Sequence, residues 1–329
     1  MLVVAGAVLV MVAVLDATLT TLTAGTGAGP LTARVGRATW RALLTLARHR
    51  PGRLLSYGGP RVLLITVLTW VVLMWAGWFL IFLAAGPSII DASSTQPASA
   101  AAVLYYAGFV VFTLGVGDIV AIDGTWQILT ALASFVGLFL VTLAITYLIS
   151  VVSAAVSRRA LAQQIHALGS TGCEILLTHW TGEGFSGELS SRLDPLRTQS
   201  LQTTEQHLAY PVLHFFHAGE SSSAPRAMAA LDDVLVLLEA GVDPAVAPGS
   251  PVLTPLRRAL ERYTHVVQPT GGKDVGPPPL PDLAPLRNAG IPVRSDAQYA
   301  ELARSHEDRR TGVHQLVRSD AWTWPGPHR

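Results

Sequence analysis

Three apolar runs, each long enough for a membrane-spanning helix, leave this chain few soluble alternatives. A helix needs roughly 20 apolar residues to cross the hydrocarbon core of a bilayer. Residues 1–22 supply the first run, interrupted by Asp16 alone. Residues 62–85 supply a second and residues 124–157 a third, neither with a charged side chain. The third is long enough to project beyond a bilayer. A further apolar stretch, 98–112, is too short to span and reads as re-entrant or interfacial. Only 14% of the 329 residues are charged, against about a quarter in soluble chains. The apolar excess lies before Arg158, and the remainder reads as an ordinary soluble segment. A net charge of +1 gives no footing for nucleic acid, and the single Cys173 excludes an intrachain disulfide.

Charge placement orients the runs. Arg34, Arg37, Arg41, Arg48, Arg50, Arg53 and Arg61 fill the segment between the first two runs, and Arg158 and Arg159 follow the third. Between Arg61 and Arg158 there is no Lys or Arg, and the acids there are Asp91, Asp118 and Asp123. Arginine clusters favour the cytoplasmic side. The expected topology therefore has the N-terminus outside, the Asp-bearing segment outside and the C-terminal half in the cytoplasm. The first run starts without Lys or Arg, which argues against a cleaved signal peptide. Asp16 is expected to reach the interface or pair with an arginine. Residues 34–53 interleave arginines with Val35, Leu43, Leu44, Leu46 and Trp40, the pattern of an amphipathic helix on an anionic inner leaflet.

Between the second and third runs the chain reads Tyr105-Tyr106-Ala107-Gly108-Phe109-Val110-Val111-Phe112, then Thr113-Leu114-Gly115-Val116-Gly117-Asp118. A dehydrating K⁺ needs oxygens that replace its water, and backbone carbonyls serve if successive ones face the same way. That requires alternating backbone handedness, and Gly115 and Gly117 provide the permissive positions. Thr113 can add a hydroxyl. Leu114 and Val116 are expected to turn outward and pack against the short helix, and Asp118 to stand at an outer mouth. Irregular backbone at this depth is tolerated only where it is buried in protein or lines a water-filled path.

The order of outer helix, short helix, Gly-x-Gly-Asp and inner helix resembles the single-pore bacterial potassium channels of the two-transmembrane pore-module family. The resemblance covers about residues 61–159, with one additional N-terminal span. It implies a homotetramer in membrane lipid, one filter strand per chain, with K⁺ as permeant ion and no other cofactor. It implies a selectivity filter of Thr113, Leu114, Gly115, Val116 and Gly117, with Asp118 at the mouth. It implies a gating hinge at Gly137, and a cavity lined by Leu138, Val141 and Ile145. Glycine at 137 is equally consistent with helix packing. Thr142 and Thr146 can bond backbone carbonyls or line the same cavity. Tyr105 and Tyr106 match the family's aromatic pair. The family usually has Tyr or Phe where Val116 stands, and some relatives have an acid where Phe109 stands.

The expected fold class is an all-α membrane protein: three transmembrane helices, a re-entrant pore helix with selectivity filter, and a helical cytosolic C-terminal domain. The expected divisions are 1–24, a basic amphipathic segment 31–60, a pore module 61–159, a helical domain 160–268, and a linker with C-terminal segment 269–329. Candidate helices in the last two are 159–168, 188–209, 225–240, 252–267 and one or two within 297–322. Ala227, Leu231, Val234, Leu235 and Leu238 form an apolar face, with Asp232, Asp233 and Glu239 expected to be exposed. Residues 271–285 read as a Gly/Pro-rich linker, and Trp322 to Pro325 as a segment that can dock back. His207, His214 and His217 lack a completing carboxylate for a metal site, and Cys173 reads as a small buried residue rather than a redox sensor. No enzyme motif is present. The functional readings are a K⁺ channel subunit, a poorly selective monovalent cation channel, or a membrane-tethered signalling or scaffold protein with a non-conducting pore fold. The gating ligand is not legible.

Overall fold

The computed structural model describes residues 1–23, 27–47, 58–216, 219–267, 275–320 and 322–326. These residues are mostly helical. The first helices are α1 (Leu2–Leu22), α2 (Pro30–Ala47), α3 (Gly58–Leu83), α4 (Ala100–Val111) and α5 (Gly124–Leu168). They are followed by α6 (Gly172–Thr178), α7 (Gly187–Ala209), α8 (Ala224–Val236), α9 (Ser250–Val266), α10 (Ala284–Asn288), α11 (Asp296–Ala303) and α12 (Glu307–Ser319). The chain divides into two units, residues 1–152 with 209–215, and residues 153–208 with 216–329.

Three helices, α1, α3 and α5, are long and apolar enough to cross a membrane. α5 is a single helix of 45 residues, in which the third apolar run and the candidate helix over 159–168 are continuous, as the sequence suggested. Residues 158–168 are mostly Arg, Ala, Leu and Gln, all good helix formers, so nothing stops the helix at the end of its apolar part. The all-α expectation needs a correction. β1 (Ile89–Asp91) and β2 (Ile119–Ala121) pair antiparallel, with Ile89 opposite Ala121 and Asp91 opposite Ile119. Strands of three residues are too short to show a readable period.

In the first unit, α1 crosses α3 where both carry glycine. A Cβ on Gly6 would stand 2.4 Å from the Gly77 carbonyl oxygen, so the two backbones approach as small residues allow in membranes. Asp16 is 3% exposed. Its carboxylate accepts from the Leu31 and Thr32 amides, from the Thr32 hydroxyl and from the Trp70 indole. It caps the orphan amides at the start of α2 from another helix, the task an N-cap side chain usually performs.

α2 then runs antiparallel along the first turns of α3. Thr32 shares Asp16 with Trp70, Gly36 lies against Val62, and Trp40 lies against Gly58 and Phe215. The basic amphipathic segment is therefore helical to Ala47, and Arg48, Arg50 and Arg53 lie outside the described residues.

In the second unit, α8 is buried on nearly every side and ends in a π turn at Leu237–Gly241. Asp232 and Asp233 were expected to be exposed and are instead 0% and 4% exposed. The reason is α12. Arg309 donates to Asp232 at 2.5 Å, and Arg310 donates to Asp232 at 3.0 Å and to Asp233 at 2.8 Å. Glu239 is likewise largely covered, beside Arg257 and His306.

The C-terminal segment does dock. The Trp324 indole donates to Asp233, and the Arg310 guanidinium lies 5.1 Å from its ring centre. The expected linker over 271–285 is partly structured: α10 begins at Ala284, and residues 271–274 lie outside the described residues. The Cys173 thiol is pushed up to about 11 by burial and by nearby Asp233, which leaves it protonated and unreactive. His217 lies outside the described residues, and among those described no group of three metal-ligating side chains is placed to hold an ion.

Candidate functional site

The site is assembled from α4, the 113–118 segment and the first half of α5. α4 starts at Ser99, whose hydroxyl accepts from the Ala102 amide. It is fixed from α3 by Trp75, whose indole donates to the Leu104 carbonyl at 3.0 Å. Tyr106 is its anchor. It is 2% exposed, stacks edge-on to Phe82 and Phe109, and shares a 2.5 Å hydrogen bond with Thr130 of α5. Tyr105 is half exposed, and its hydroxyl interacts with the Asp118 carboxylate. The two tyrosines thus have different roles, one structural and one directed at the loop.

The end of α4 has the geometry that normally selects glycine. The Leu114 amide donates to the Phe109 carbonyl at 2.8 Å, and the Thr113 amide to Val110 at 3.1 Å. These two bonds are the Schellman pair, which requires a left-handed residue between them. That residue is Thr113, with φ 58°. A β-branched residue there costs roughly 1–2 kcal/mol, and such strain persists where the surroundings enforce it.

The left-handed backbone recurs at every second position, with φ 64° at Gly115 and 85° at Gly117, and not at Leu114 or Val116. An alternation of handedness turns consecutive carbonyls to a common side, whereas a regular strand turns them to opposite sides.

Both ends of this strand are fastened. At its far end the Asp118 carbonyl accepts from the Ala92 amide, and the Asp118 side chain accepts from the Ile119 amide. From there β2 pairs with β1. Between these anchors the strand is bare. Nothing lies within 4 Å of a Cβ built on Gly115 or Gly117. Leu114 and Val116 are 69% and 52% exposed. The expected packing against the short helix is therefore slight within this one chain.

A cavity of about 500 Å³ opens beside the strand, with Thr113, Gly115 and Gly117 on one wall and Thr130 and Ser134 on another.

α5 runs past this site. Thr130, Ser134 and Gly137 face α4: Ser134 donates to the Val110 carbonyl, and a Cβ on Gly137 would stand 2.1 Å from the Val111 carbonyl oxygen. The helix is unbroken at Gly137, so the structure assigns that glycine a close crossing. Gly137→Ala is expected to destabilise the protein by about 1–3 kcal/mol through overpacking, read as a lower midpoint of thermal unfolding in detergent. An unchanged midpoint would leave only the hinge role.

Leu138, Val141 and Ile145 follow along the same side of the helix, Leu138 one turn beyond Ser134 and Val141 one turn beyond Gly137, and there Leu138 and Ile145 are more than half exposed. Thr142 and Thr146 donate to the carbonyls one turn back, Leu138 and Thr142. Sequence reasoning missed Thr130 and Ser134. Their spacing with Gly137 (i, i+4, i+7) is a stripe of small residues on one helix face, a signal that was there to be read.

Three carboxylates gather at this end of α3 and α5. Asp91 is held down to about 2 by hydrogen bonds from Ser93 and Ser94, Asp118 closes the strand, and Asp123 is bonded by the Ser88 hydroxyl.

No protein-family model matches the chain, and no solved structure matches it. Among curated proteins it is 31% identical to the uncharacterized membrane protein YdjJ of Bacillus subtilis (strain 168). The match covers 98% of this chain and 95% of that protein.

Proposed function

The chain belongs to the same family as that Bacillus membrane protein, and we propose that it is one subunit of a homotetrameric pore that conducts K⁺ passively across a cell membrane. One observation carries this reading: a strand with left-handed backbone at Thr113, Gly115 and Gly117, fastened at both ends and bare in between. Among the described residues, little of its own chain covers the stretch between its anchors. Four copies around one axis cover it, and their carbonyls replace the water shell of a permeant ion. Thr113 contributes a hydroxyl ring at the inner end, and α4 directs the negative end of its dipole at the approaching ion. Asp118 stands at the outer mouth, where the Asp91 carboxylate adds a fixed negative charge. Leu138, Val141 and Ile145 line the vestibule further along α5.

The proposed orientation has the N-terminus outside and the second unit in the cytoplasm. It is supported by charge: Asp91, Asp118 and Asp123 cluster at one end of α3 and α5, and Arg34, Arg37 and Arg41 accompany the start of α3.

Val116 favours a second reading, a pore that passes monovalent cations with little selectivity. Its side chain is too small to brace the strand as an aromatic ring does. The reversal potential of the reconstituted protein, with K⁺ on one side of a planar bilayer and Na⁺ on the other, separates the two. The expected value lies near the K⁺ equilibrium potential. A cation current reversing near zero supports the second reading, and verified tetramers that pass no current count against both.

A further inference from the structure

Among the described residues, no ion pair joins Arg34, Arg37 or Arg41 to an acid. From Ala17 to Ile90 there is no Asp or Glu, and residues 27–61 carry seven arginines. Asp16, the nearest acid in sequence, is buried and engaged by the start of α2 and by Trp70. The other acids of this unit, Asp91, Asp118 and Asp123, lie at the far end of α3 and the start of α5.

Arg34, Arg37 and Arg41 recur at i, i+3 and i+7, so they share one face of α2, and all three are exposed. The opposite face is pinned, with Thr32 at Asp16, Gly36 at Val62 and Trp40 at Gly58. The arginine face therefore cannot roll inward. Because α2 runs antiparallel along the first turns of α3, the three guanidiniums form a ladder about 10 Å long beside the entry of a membrane span. That length is enough to cross one headgroup layer.

We propose that Arg34, Arg37 and Arg41 form a binding face for the phosphodiester headgroup of an anionic membrane lipid, of the phosphatidylglycerol class. Guanidinium and phosphate match as a planar donor fork to paired oxygens. The arginine stems lie along acyl chains while their heads stay at headgroup level. The inference rests on the membrane spans and not on conduction, so it stands or falls separately from the proposed pore.

The test uses the full chain in detergent, titrated with fluorescent phosphatidylglycerol and, in parallel, phosphatidylcholine. The variant R34Q/R37Q/R41Q is expected to bind phosphatidylglycerol about a hundredfold more weakly, near fivefold per arginine, with phosphatidylcholine unchanged. R34K/R37K/R41K should keep only part of the affinity, because an ammonium preserves the charge but not the paired bonds of a guanidinium. The control R192Q/R197Q/R304Q, which removes the same charge from the second unit, should bind as the parent does. Equal loss in that control, or undiminished binding by R34Q/R37Q/R41Q, overturns the proposal. Glycerol 3-phosphate at equal concentration should not displace the lipid; full displacement assigns the site to a soluble phosphate instead. Should the triple glutamine variant fail to fold, Arg37→Gln alone decides: a fivefold loss supports the face and none overturns it.

Discussion

Replacing Gly117 by alanine is expected to stop K⁺ flux while leaving assembled protein in the membrane. The reason is backbone, not bulk. A Cβ at Gly115 or Gly117 meets nothing within 4 Å in its own chain, so the fold has room for it. Each left-handed L-residue nevertheless costs roughly 1–2 kcal/mol. In the proposed pore that cost recurs in four chains, on the order of 4–8 kcal/mol against the conducting strand. The strand escapes by flipping peptides, and the carbonyl ligands are lost with them. Gly115→Ala should behave alike.

Thr113→Gly gives the opposite sign in one respect. It relieves the strain at φ 58° and should raise the unfolding temperature. It also deletes the hydroxyl that the proposed pore places on the ion path and should lower flux or selectivity. Stability up with conduction down is the signature of strain kept for function. Flux equal to the parent in Gly117→Ala would sink the pore reading, and unchanged permeation in Thr113→Gly would remove its hydroxyl from the ion path. Both are read by ion flux into vesicles and by the oligomer's size in detergent.

The second large effect is expected in the other unit, at Arg310. Its guanidinium is 1% exposed by side chain and bridges Asp232 and Asp233, which are 0% and 6% exposed by the same measure. It also bonds the Pro279 carbonyl and faces Trp324. Arg310→Met leaves two buried carboxylates with Arg309 as their remaining guanidinium partner. Breaking a buried pair by removing one partner costs about 3–5 kcal/mol, enough to unfold a marginal domain. Pairing Arg310→Met with Asp233→Leu should recover most of the loss, because an apolar replacement of the whole pair is often neutral.

The pH dependence follows from Asp233. Burial pushes its carboxyl up to about 7 even with Arg310 beside it, and higher without it. Stability carried by a raised acid is present at low pH and is lost as pH rises through the folded pKa. The deficit of Arg310→Met should therefore be larger at about pH 8.5 than at about pH 6. Equal deficits at both pH values, or no deficit, would show that Asp233 is not the group left exposed to the change. Denaturant unfolding of the single and double variants reads all of this.

Much of the helical layout could be read before any coordinates. Three apolar runs, the first broken only by Asp16, became α1, α3 and α5 because backbone polar groups in a membrane must be satisfied within their own segment. The amphipathic repeats over 188–209, 225–240 and 252–267 became α7, α8 and α9 within a residue or two, apart from the π turn that closes α8. The Thr113–Asp118 segment was legible because Gly-x-Gly marks a need for left-handed backbone whatever surrounds it.

What the sequence misjudged were partners distant along the chain. Asp232 and Asp233 look solvent-facing on their own helix, and only α12, 77 residues later, shows them to be buried. Asp16 looks like an interfacial acid until α2 folds back and presents its first amides to it. Leu114 and Val116 follow the same rule in reverse. Both are largely exposed among the described residues, and no pattern in the sequence says what covers them.

The sequence by itself determined which runs are long enough to cross a membrane, where most of the longer helices lie, and that Gly115 and Gly117 let the backbone change hand. Those follow from local rules: apolar length, period and the steric freedom of glycine. Tertiary structure alone decided that Asp16 caps α2, that Gly137 crosses Val111 and that Arg310 closes over two aspartates. It also decided that the left-handed strand stands anchored and bare. Each of these depends on atoms far apart in the chain meeting within a few ångströms, and no local rule carries that information.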